Sequence, residues 1–180
     1  SLLAFAGPML LGVTRHRGGA TERPRRSVGA RAPVLANLAA VAAFTPSLLI
    51  FSSSPAASLA LPMASSGLVL AVAGMALVLR SRSELGAAWS LVPGAGQETA
   101  LVTTGPYRLV RHPIYLGLSV LGVGQALAFG SVPALVIMLL GILPTFAWRA
   151  RAEEQLLSRT FGERFAEYRE RTKMIIPHVL

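Results

Sequence analysis

Cysteine is absent from all 180 residues, which excludes a disulfide framework, a thiolate metal site and a thiol nucleophile together. Histidine is nearly as scarce: His16, His112 and His178 stand far apart, without HxH or HxxxH spacing, so no metal site is expected. Charge is thin as well, at 14% of residues against about 25% in an ordinary soluble domain, while 53% are hydrophobic. What charge there is carries one sign, with 17 Lys and Arg against 8 Asp and Glu and a formal net of +9. That excess would suit nucleic acid in a polar chain; in one this apolar, the anionic cytoplasmic face of a membrane is the better partner, and no nucleic acid is expected.

The charge-free runs set the layout. Residues 1–14, 32–79 and 112–148 contain no Asp, Glu, Lys or Arg. The first would span only about 21 Å as a helix, against roughly 30 Å for a bilayer core, and reads as a truncated or tilted segment. A signal peptide would place its positive charge ahead of the apolar stretch, whereas Arg15 and Arg17 follow it. The second run holds two spans parted by a turn from Ser52 through Pro62, and the third a tight hairpin broken near Gly130-Ser131 with Pro133 just inside its second arm. The expected fold is therefore all-α and polytopic, with five membrane segments near 1–14, 33–51, 63–80, 113–129 and 132–148. All basic residues fall in 15–31, 80–111 and 149–173, which are alternate loops, so these share the cytoplasmic face. Small residues crowd 63–76, among them Gly67, Ala71 and Gly74, and suit close helix packing. One domain is expected, with 1–79 as N-terminal helices and basic loop and 80–180 as the catalytic part.

Two short stretches do not look like membrane filler. In LVTTGPYRLVRHPIYLGLSVLGVG, residues 101–124, Pro113 fixes its own φ and pushes His112 toward an extended conformation, presenting it at the mouth of a helix. That helix start offers free amide donors and a partial positive charge. In the second stretch, Trp148-Arg149-Ala150-Arg151-Ala152-Glu153-Glu154, Arg149 and Glu153 are four apart and share a helix face. Glu153, Leu157, Phe161 and Phe165 would lie on one arc if the helix continued, although Gly162 is placed to break it. Taken alone, His112 is equally a helix cap, the Arg149–Glu153 pair a surface ion pair, and Gly122 and Gly124 packing glycines.

Together, Arg-His-Pro-x-Tyr-x-Gly, the following Gly-x-Gly and the downstream Glu-Glu resemble the membrane-embedded methyltransferases that include isoprenylcysteine carboxyl methyltransferases and phospholipid N-methyltransferases, over roughly residues 80–177. The resemblance implies S-adenosyl-L-methionine as cofactor and a lipophilic acceptor entering from the bilayer. It implies cofactor binding by Leu101, Val102, Tyr107, Arg111, His112, Pro113, Tyr115, Gly117, Gly122, Gly124 and Glu154. Glu98 stands where many relatives carry histidine and is left out. Arg149 is expected to orient the acceptor, and Glu153 to orient Arg149 or to take a proton from an amine. A prenylcysteine-like carboxylate is the preferred acceptor; an aminophospholipid, an NADPH-dependent sterol-type reductase and a non-catalytic scaffold are the alternatives. Phe161 to Tyr168 match the family's tail and are expected to fold back as an interfacial helix, with Phe165 and Tyr168 packing and Met174-Ile175-Ile176-Pro177 pinned to the membrane surface.

Overall fold

The computed structural model describes residues 31–52, 57–86 and 101–176. The expected first segment, most of the first basic loop, Trp89 and Glu98 lie outside these. Five helices are present among the described residues: α1 Arg31–Ile50, α2 Ala57–Leu85, α3 Pro113–Ala128, α4 Val132–Phe161 and α5 Glu163–Arg171. No strand accompanies them, only an isolated bridge between Val110 and Lys173.

Two element boundaries differ from the sequence reading. The segment expected at 63–80 starts earlier and ends later, so Pro62 sits inside α2 and not in a turn. Pro62 stands in the second turn, where it removes one helical hydrogen bond, that to the Ser58 carbonyl, and the long apolar helix around it carries the loss. The apolar segment expected at 132–148 continues as helix to Phe161, as the shared face of Arg149 and Glu153 required, and Gly162 ends it at φ +53°. Inside α4, Ile137–Ile142 form a π turn in which the Leu143 amide donates to the Met138 carbonyl. Pro144, lacking an N–H and crowding the carbonyl one turn back, accounts for the register change. The helical hairpin between α3 and α4 agrees with expectation: Gly130 turns at φ +60°, and the Ser131 hydroxyl accepts from the Ala134 amide beside Pro133.

Glycines set how closely α2 and α3 approach. A Cβ added at Gly74 would meet the Leu121 amide nitrogen at 2.5 Å, and one added at Gly124 would meet that of Ala71 at 2.5 Å. Gly67 faces Gly124 and Ala128 in the same way, and Gly117 faces Gly74 and Val78. Seven-residue spacing on both helices thus brings backbone against backbone along the whole crossing, as small-residue interfaces do in membrane bundles. α4 covers the other side of α3, and Phe44, Leu48, Tyr115, Met138, Ile142 and Phe146 form the shared core with α1.

Leu61 on α2 and Leu140 on α4 are 77% and 76% exposed, and Leu68, Val69 and Val72 also point outward. Such apolar faces suit lipid better than water. By length and composition, Leu59–Leu85 and Val132–Phe161 are able to cross a membrane; Leu35–Ile50 and Pro113–Ala128 are apolar but shorter. The all-helical class therefore stands, and the count of five spans is narrower than these helices establish.

After α5 the chain returns as an arm, residues 172–176. The Arg111 amide donates to the Lys173 carbonyl at 2.8 Å and the His112 amide to that of Met174 at 2.9 Å. Met174 and Ile175 are buried in the protein core, contrary to the expected surface anchor. Their apolar side chains find a closer partner in the interior than in lipid because the backbone pairing draws them inward.

Candidate active site

The two polar constellations, some forty residues apart in the chain, meet where the N-terminus of α3 abuts α4. A 3-10 turn, Gly105–Arg108, reverses the chain just before it, with Gly105 at φ +58° beside Glu84 of α2. Pro113 opens α3 as expected and is buried; His112 precedes it and its side chain makes no capping bond. One turn on, Tyr115 projects to the same side as His112, and their rings stack at 5.6 Å. Phe146 stacks on the other face of Tyr115 at 5.1 Å, which closes the apolar side of the site. Sequence reading passed over Phe146, since only its partner across the helices distinguishes it from neighbouring apolar residues.

Glu153 is the meeting point. Its Oε1 accepts from the Tyr115 hydroxyl at 2.6 Å and from Arg149 Nε at 3.1 Å. Its Oε2 lies 3.6 Å from His112 Nδ1. The Arg149 guanidinium sits 6.0 Å over the Tyr115 ring, so its plane is held by a carboxylate on one side and an aromatic face on the other. The Glu153 side chain remains 41% exposed, whereas that of Glu154 is 12% exposed. Glu154 is committed inward: its Oε1 takes Arg111 Nε at 2.6 Å and stands 3.4 Å from His112 Nε2. That histidine nitrogen is buried, and no hydrogen bond reaches it.

The remaining expected site residues divide. Leu101 and Val102 lead into the 3-10 turn, half-buried, outside the hydrogen-bonded cluster. Tyr107 is buried, and its carbonyl accepts from the Tyr168 hydroxyl at 2.6 Å, which makes it part of the support for the C-terminal arm. Burial holds the Tyr107 and Tyr168 hydroxyls protonated far into the alkaline range, the latter pushed up to about 12. Arg111 spends donors on Glu154 and on the carbonyls of Arg169 and Thr172. The glycines lie at helix contacts. A Cβ on Gly117 or Gly124 would run into α2, and one on Gly122 into the Met138 sulfur, so on that side each glycine serves helix packing. Phe165 and Tyr168 are buried as expected of packing residues, and Gly162 ends the arc that runs from Glu153 through Phe161.

Comparison with known proteins agrees with this arrangement. The family described as phospholipid methyltransferase matches residues 62–164. Among curated proteins, the nickel-cobalt-cadmium resistance protein NccN of Alcaligenes xylosoxydans xylosoxydans is 35% identical over 53% of the chain and 45% of its own length. The protein-S-isoprenylcysteine O-methyltransferase A of Arabidopsis thaliana is 35% identical over 44% of the chain and 40% of its own length. The chain thus spans less than half the length of the curated relatives it matches. Among solved structures, the eukaryotic intramembrane Ras methyltransferase ICMT shares the fold with a TM-score of 0.63 at 21% identity, over 81% of this chain and 52% of that one. With its matched region covering more than half of the sequence and holding both polar constellations, the chain belongs to the phospholipid methyltransferase family.

Proposed function

We propose that the chain transfers a methyl group from S-adenosyl-L-methionine to a lipophilic acceptor, with Arg149 and Glu153 at the acceptor end and His112, Tyr115 and Glu154 at the cofactor end. The observation that carries this reading is the convergence of Arg149, Tyr115 and His112 on the single carboxylate of Glu153. A buried histidine wedged between two carboxylates, one of them partly open to solvent, is unusual in a purely structural cluster. These groups fit a ligand that brings hydroxyls and an ammonium, as an amino-acid nucleoside does.

S-adenosyl-L-methionine supplies a carbon already activated by its sulfonium, so the protein is left with positioning, charge complementarity and exclusion of water. The stack of His112, Tyr115 and Phe146 does the last of these. Glu153 holds Arg149 through Nε, which leaves the two terminal nitrogens of the guanidinium to fork onto an acceptor carboxylate. A prenylcysteine-like acid meets that requirement, and the isoprenylcysteine methyltransferases among the relatives act on such a group by their names. A second reading, methylation of a phospholipid amine, is favoured by the family's description and by the exposure of Glu153, which could accept the amine proton. The reading keeps five membrane segments, with the arginine-rich loops and the site on the cytoplasmic face of the inner membrane.

Purified protein incubated with labelled S-adenosyl-L-methionine and a panel of prenylcysteines, hydrophobic acids and phospholipids tests this directly. Base-labile label supports the ester, and base-stable label the amine. No incorporation, together with thermal stabilisation by NADPH but not by S-adenosylhomocysteine, would replace transfer by reduction.

A further inference from the structure

Arg111 joins three things that are separate in the sequence. Its Nε is 2.6 Å from Glu154 Oε1, and its Nη1 donates to the carbonyls of Arg169, at 3.1 Å, and Thr172. Its own backbone amide, and that of His112, donate to the carbonyls of Lys173 and Met174. A guanidinium whose side chain is 8% exposed and which is tied to two main-chain oxygens and a carboxylate has little freedom left to follow a ligand. The arm it holds is anchored elsewhere too, by Tyr168 on the Tyr107 carbonyl and by the burial of Ile175, 1% exposed.

From this juxtaposition we propose that Arg111 is a positioning residue that latches the C-terminal arm, residues 172–176, to Glu154 and the His112 corner, so that docking of the arm sets affinity for the methyl donor. This rests on the reading of His112 and Glu154 as the cofactor end of the site. Arm and site act as one unit: release of the arm frees the His112 backbone, and loss of the guanidinium leaves Glu154 without its shortest partner. Nη1 holds both carbonyls while Nε holds Glu154, two nitrogens of one rigid plane where lysine offers a single one, so Arg111→Lys keeps a charge for Glu154 and loses part of the latch.

The test uses the full chain in detergent or nanodiscs, with two readouts. Hydrogen exchange at the backbone amides of Arg111 and His112 reports the latch, and KM and kcat for S-adenosyl-L-methionine report the site. Arg111→Met is expected to raise amide exchange at least tenfold and KM about tenfold, with kcat changed less than threefold. Arg111→Lys is expected to fall between wild type and Arg111→Met on both readouts. Ile175→Ser, which loosens the arm without touching Arg111, is expected to raise KM in the same direction, with circular dichroism reporting whether the helices persist. A raised KM in Arg111→Met with exchange unchanged would make Arg111 a direct ligand and overturn the proposal. Raised exchange with KM unchanged would leave the arm structurally latched but unconnected to donor affinity, and would overturn it equally. Failure of the functional reading looks different: wild-type protein would neither transfer methyl groups nor bind S-adenosylhomocysteine, while the exchange pattern of the variants would still follow the latch.

Discussion

Tyr115→Phe removes one hydroxyl while retaining the ring that stacks on His112 and Phe146. The lost bond is the 2.6 Å donation to Glu153, an interaction with a charged acceptor. Such bonds contribute about 1.5–3 kcal/mol net when well shielded. Glu153 is 41% exposed, so water takes over part of the acceptor's demand and the lower end applies, about 1.5 kcal/mol. That corresponds to roughly tenfold in kcat/KM. Because Glu153 Oε1 also accepts from Arg149, the loss reaches the acceptor end through a looser guanidinium. Glu153→Gln perturbs the same link from the other side by removing charge while keeping an acceptor oxygen. Methyl-transfer kinetics of the two single variants and the double variant complete a cycle, with a coupling of about 1 kcal/mol expected. Thermal stability should fall by no more than the same amount, about 1.5 kcal/mol, since the exposed carboxylate regains water. Independent, multiplicative effects of the two substitutions, or a Tyr115→Phe enzyme within twofold of wild type, would refute the idea that this triad orients the acceptor.

Arg149→Lys preserves charge but not the fork, and kcat should fall about 10- to 100-fold with donor KM nearly unchanged, as read in steady-state transfer assays. Gly124→Leu places side-chain atoms where the Ala71 amide lies 2.5 Å from the added Cβ, so α2 and α3 must part; the overpacking costs about 1–3 kcal/mol or more, visible as a lower inactivation temperature. Tyr168→Phe leaves the buried Tyr107 carbonyl without its donor, a loss of about 1–3 kcal/mol measured by the same assay. The Tyr168 hydroxyl is raised from 10.0 to about 12 by burial, so its neutral form contributes stability that is full below pH 10 and is lost as pH rises through about 12. An alkaline stability profile should therefore decline over that window in wild type, and less steeply in Tyr168→Phe.

Much of this protein was determined locally. Charge-free runs, Pro113, the Gly130-Ser131-Pro133 corner and Gly162 each act on the few residues around them, so the start of α3, the corner into α4 and the end of α4 followed from the sequence. The Arg149–Glu153 pairing followed for the same reason, since four residues on a helix always share a face. What only the tertiary structure decided were the partners of residues that look alike in one dimension. Gly117 and Gly124 read alike as ligand or packing glycines, and only the fold set Gly74 and Gly67, some fifty residues away, against them. Only the returning arm supplied the carbonyls that Arg111 binds, and Met174 and Ile175 resembled a membrane anchor until backbone pairing turned them inward. Periodicity and chain stiffness encode short-range structure. The satisfaction of a donor, or the filling of a glycine's empty side, depends on whatever the fold brings opposite it.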